Sequence, residues 1–155
     1  MVLVVAACGP SSQEIATAKT ARYQGSRTEL YSIAKQVTAD DYRIGEEDPP
    51  NFRFATQPQW YSPEGGRQSN GAGDFVNLDD RSVQLMLVVE IVELLDRDQN
   101  EWGVTVAPIT FQHINGSPKP RLLAPDDPNL PPWILGRVDS LVLDIHKHAK
   151  GMLIR

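Results

Sequence analysis

A chain of 155 residues has the length of one domain and can bury a sizeable core. Its apolar share of 41% and charged share of 23% are globular proportions and argue against wholesale disorder. The net charge is −5, with fifteen basic residues scattered among twenty acidic ones, so the chain lacks the basic stripe that binding nucleic acid requires. One cysteine rules out an intramolecular disulfide. The longest apolar run in the body, 85–89, stops at Glu90, far short of the ~20 residues of a membrane span.

Seven apolar residues open the chain and lead to Cys8, with the small and polar Gly9, Pro10, Ser11 and Ser12 directly after it. Val5-Ala6-Ala7-Cys8 has an aliphatic residue three before the cysteine and small residues just before it. This resembles the lipobox of bacterial lipoprotein precursors. The resemblance implies cleavage before Cys8, acyl chains such as palmitate on its thiol, and an anchor in the cell envelope. Gly9 in the next position implies the outer membrane, facing the periplasm. Several acyl chains anchor firmly, at about 0.8 kcal/mol per buried methylene. No Lys or Arg precedes the apolar stretch, so residues 1–8 read as a truncated-looking lipoprotein signal.

Residues 9–22 are small and polar and read as a flexible tether, with 23–155 as a single globular domain. Ser26 and Glu29 have the spacing of a capping box, and Leu30, Ile33, Ala34 and Val37 follow as one helical stripe. A short strand is expected over 42–45, closed by the acidic, Pro-rich run 46–50. Phe52, Phe54, Thr56 and Trp60 predict one half-buried strand, with Pro58 marking an edge or a bulge. Four glycines fall in 62–74, which reads as a mobile loop.

Residues 83–95 form the strongest strand and pair with 102–114 through a polar hairpin at 96–100. Trp102, Val104 and Val106 share one phase and Ile109 and Phe111 the other, so a bulge is expected at Pro108. A connector spans 117–132, and Pro131-Pro132 suit the first turn of a closing helix. Its stripe is Ile134, Val138, Leu141 and Ile145, flanked by Trp133 and Val142. The predicted fold class is α+β: an antiparallel four-stranded sheet with two helices on one face, in the order helix, four strands, helix. This order resembles periplasmic lipoprotein domains, including lipoprotein subunits of the outer-membrane β-barrel assembly machine. The likeness is one of fold, carries no specific motif, and transfers no function.

Chemistry is sparse. His146 and His148 are two apart on a helix and point roughly 200° away from each other, so they cannot share a metal. Both suit a helix C-terminus, where Asp144 is in reach of His148. His113 lies beside the turn signal Asn115-Gly116 without an assignable partner. The acidic runs at Asp40-Asp41, Glu46-Glu47-Asp48, Asp79-Asp80 and Asp126-Asp127 fall at element boundaries and lack the spacing of a calcium loop. No catalytic, cofactor or metal set emerges, and a hydrolase or metalloenzyme using His113 is the weakest alternative.

The informative feature is the second face of 83–95. If Leu85 and Leu87 meet the helices, then Met86, Val88, Val92 and Leu94 face away. That face should be polar in a two-layer fold. Either the loops 62–80 and 117–132 cover it, or it is an interface with a protein partner or a second copy. The sequence thus predicts a lipid-anchored, non-catalytic binding or scaffold protein of the cell envelope, with a carrier for an apolar ligand as the alternative.

Overall fold

The computed structural model describes residues 9–68, 77–94 and 100–154. The expected signal at 1–8 with Cys8, most of the 96–100 hairpin and part of the 62–74 loop therefore lie outside the described residues. The fold is α+β with a wholly antiparallel sheet, as expected, but the sheet has seven strands and there are three helices. None of these helices is long and apolar enough to cross a membrane.

The first departure is α1 (Ser12–Lys19), which occupies the stretch expected to be a tether. Ser11 and Glu14 form a reciprocal capping box, with the Glu14 amide donating to Ser11 Oγ at 3.2 Å and the Ser11 amide donating to Glu14 Oε2 at 2.8 Å. That hydrogen bonding holds the Glu14 carboxyl below its ordinary range. Ala18 packs with Val142 and Leu143, and Lys19 pairs with Asp139. After β1 (Tyr23–Gln24), Ser26 caps α2 (Arg27–Asp41), which buries Leu30, Ala34 and Val37 as its spacing predicts.

The strand expected at 42–45 is β2 (Ile44–Asp48), so the acidic run 46–48 belongs to the strand. A 3₁₀ turn over Pro49–Asn51 leaves Phe52 at φ +51°, outside any strand. The single strand expected through Trp60 is two, β3 (Arg53–Thr56) and β4 (Gln59–Tyr61). The break at Gln57-Pro58 shifts the phase: Phe54 stands opposite Val89, whereas Trp60 stands opposite Gln84. Trp60 therefore lies on the other face from Phe54.

β5 (Val83–Glu93) and β6 (Glu101–Gln112) pair through eleven consecutive positions in one register. No bulge occurs at Pro108, contrary to expectation. The Leu87 amide donates to Thr56 Oγ1 at 2.9 Å, on the β3 side. Leu87 and Pro108 are thus a non-hydrogen-bonded pair, and the proline nitrogen faces the edge of β6 between β1 and the short β7 (Arg121–Leu123). A missing donor costs nothing at an unpaired edge, so the strand runs straight on. Trp102, Val104 and Val106 face the helices, and Ile109 and Phe111 face away.

The long helix α3 (Pro132–His148) lies against β6, α2 against β5, and α1 against α3, all on one side of the sheet. The core between the layers holds Val83, Leu85, Leu87, Val89 and Ile91 of β5 with Leu30, Ala34, Ile134, Leu141 and Ile145 of the helices. Arg27 seals one end. Its guanidinium bonds the Ile91 carbonyl at 2.6 Å and lies 4.2 Å from the Phe52 ring and 5.1 Å from that of Trp102.

Candidate functional site: the outer face of the sheet

Opposite the helices, the register lines up an apolar field. Met86 faces Ile109, Val88 lies between Ala55 and Ala107, and Gln84 stands between Trp60 and Phe111, with Leu122 next to Phe111. Val92 and Leu94 close the row over Gly103, where a Cβ would stand 3.2 Å from Val92 and 3.3 Å from Leu94. The missing side chain lets both lie flat. Of the four residues singled out from the sequence, Val88 is the floor at 8% exposure, and Met86, Val92 and Leu94 are half-buried. Ala55, Trp60, Ile109, Phe111 and Leu122 join them. Each was hidden in the sequence by a phase shift or by the pairing of a short strand.

Among the described residues no element packs over this face. None of Trp60, Met86, Ile109, Phe111 and Leu122 belongs to the core, and Leu122 is 60% exposed. The connector 117–132 does not fold across it, because β7 extends the sheet edge to edge with β6. The described start of the other loop turns to the helix side. There Trp133 Nε1 donates to the Pro63 carbonyl at 2.8 Å and Arg137 to that of Gly65 at 3.2 Å. A depression of about 210 Å³ opens on the face, floored by Ala55, Met86, Val88 and Ile109. Glu46, Glu47, Asp48 and Arg53 line it, three acids against one base. Glu47 is engaged by Lys35, and Asp48 accepts a bond from Asn51 at 2.7 Å, so Glu46 is the acid turned outward.

The histidines stay apart. His146 Nδ1 lies 3.1 Å from the Tyr23 hydroxyl, and partial burial, then Lys150, pulls its pKa below the ordinary imidazole value. His148 Nδ1 meets the Asp144 backbone carbonyl at 2.8 Å, not the carboxylate the i, i+4 spacing offered. His113 uses its backbone to join the Asp79–Ser82 turn to the end of β6. The acids at boundaries act as caps: Asp80 accepts from the Asn115 amide at 2.9 Å and Asp127 from the Asn129 amide at 2.8 Å. Among the described residues no group of three His, Cys, Asp or Glu is placed to hold a metal. No protein-family model, curated protein or solved structure matches the chain.

Proposed function

We propose that this protein is a lipid-anchored binding or scaffold domain of the bacterial cell envelope, without catalytic activity, which docks a protein partner or a second copy of itself on the outer face of its sheet. The observation that carries this reading is the apolar row from Trp60 through Phe111 to Leu122 and from Met86 to Ile109, with no covering layer among the described residues. Contiguous apolar surface of this kind, rimmed by polar groups, marks interaction sites. The acidic rim suits a partner segment in which a basic side chain flanks apolar ones. The Val5-Ala6-Ala7-Cys8 sequence supports the anchor, since the negative net charge gives no attraction to anionic lipid. A carrier for an apolar ligand needs an enclosed apolar chamber, whereas the depression on this face is open to solvent and walled by charge.

The test is a pair of variants in bacterial cells. Cys8→Ser should abolish palmitate labelling and detergent partitioning while leaving the domain folded. Ile109→Glu should keep labelling and the wild-type melt but lose the co-purifying partner or self-association. Unchanged detergent partitioning of Cys8→Ser removes the anchor from the account. Unchanged association of Ile109→Glu removes the docking face.

A further inference from the structure

We propose that a cavity at the start of α3 is an anion site that takes a phosphate group. The cavity measures about 380 Å³ and lies where β5 begins and β6 ends, apart from the outer face. Its polar lining is Arg81, Gln112, Arg121 and Asn129, walled by Pro131 and Pro132, and it has no acidic lining residue. Two arginines without an acid are a local excess of positive charge in a chain whose net charge is −5.

The topology brings these residues together. Gln112 and Arg121 face each other across the β6–β7 pair, and Val83 opposite Gln112 places them on the helix side. Arg81 adopts φ +65°, a left-handed conformation, and its amide donates to the His113 carbonyl at 2.8 Å. Asp127 Oδ2 stands 3.6 Å from one terminal nitrogen of Arg121, which steers the guanidinium and leaves its other donors unused by that pair. Helix α3 contributes its positive end. Its N-cap is Pro131, which gives no side-chain cap, and Pro132 brings no N–H.

Gln112 points to an occupant. It is only 6% exposed, it lines the cavity, and its side-chain amide has no hydrogen-bond partner among the described residues. A buried amide is ordinarily satisfied by protein, water or ligand. Guanidinium forks, a side-chain amide and an uncapped helix N-terminus are the donor set that oxyanions select. Two fixed positive charges suit a phosphate better than a single carboxylate, and the volume admits a phosphate with a small substituent. A soluble phosphate ester and a phospholipid headgroup share this chemistry, and the test separates them.

The experiment is calorimetric titration of the purified full chain with inorganic phosphate at constant ionic strength, with ¹⁵N spectra recorded alongside. Binding should shift the Gln112 side-chain amide and the Trp133 backbone amide. Arg81→Gln and Arg121→Gln should each weaken it at least about tenfold, as loss of a charge-assisted bond implies. Arg22→Gln, beside Glu101 at the other end of β6, should leave it unchanged. Thermal melts establish that each variant is folded. Vesicles of phosphatidylcholine with and without phosphatidic acid form the second arm. Arginine-dependent capture by the acidic vesicles assigns a headgroup, and phosphate binding without capture assigns a soluble ester. Absence of phosphate binding to the wild type, or equal weakening in Arg22→Gln, overturns the proposal.

Discussion

Truncating Leu87 and Ile109 to alanine removes three carbons from each of two paired strands, on opposite faces of the sheet. Leu87 is 0% exposed in the core beneath the helices, so its truncation leaves a cavity and costs about 3 kcal/mol. Ile109 is half-buried with no layer over it among the described residues. Roughly half of its lost methylenes leave contact at about 0.8 kcal/mol each, which gives about 1 kcal/mol. In a chain of this length about 1 kcal/mol moves Tm by roughly 2–4 °C. Leu87→Ala should therefore melt about 6–12 °C below wild type and Ile109→Ala about 2–4 °C below it. Urea unfolding should show the same ratio with unchanged slope, since neither variant alters the surface exposed on unfolding by much. If Ile109→Ala falls as far as Leu87→Ala, the outer face is packed under a layer and is not a docking surface.

Gly65 has φ +96°, and a Cβ there would stand 3.0 Å from the Trp133 ring. Gly65→Ala should cost about 1–3 kcal/mol by urea unfolding and alter Trp133 fluorescence, and a neutral result would contradict the clamp of this turn on α3. Burial pushes the Tyr23 hydroxyl up to about 12 from its usual 10. Because the folded form holds its proton more tightly, the stabilisation is complete below pH 10 and drains away as pH rises toward 12. Tyr23→Phe should flatten the alkaline limb of the stability profile, and an unchanged limb would show that Tyr23 is not its source. Ser26→Ala removes the oxygen that accepts from the Glu29 amide at 3.2 Å and should cost about 1 kcal/mol in the same assay.

The elements with strong local signals were legible in the sequence. Ser26 before the Leu30, Ala34, Val37 stripe marks α2, Pro131-Pro132 marks the start of α3, and 83–95 marks the central strand. What was missed has physical causes. β1 and β7, of two and three residues, exist because β6 offers an edge, and edge pairing leaves no periodic trace. α1 buries only Ala18, so it lacks a stripe, but its Ser11 and Glu14 do have the capping-box spacing. The phase change across Pro108 looked like a bulge because apolar residues were assumed to share one face. In fact both faces of β6 are apolar, and this is the feature that builds the candidate site.

Photo-crosslinking in bacterial cells tests the docking face most directly. A photoreactive residue is placed at Ile109 and at Leu122, on the outer face, and at Ser140 on the exposed side of α3. The account predicts a discrete protein adduct, either with a partner or with a second copy, from the first two positions and none from the third. Adducts from Ser140 alone, or equally from all three positions, would contradict it.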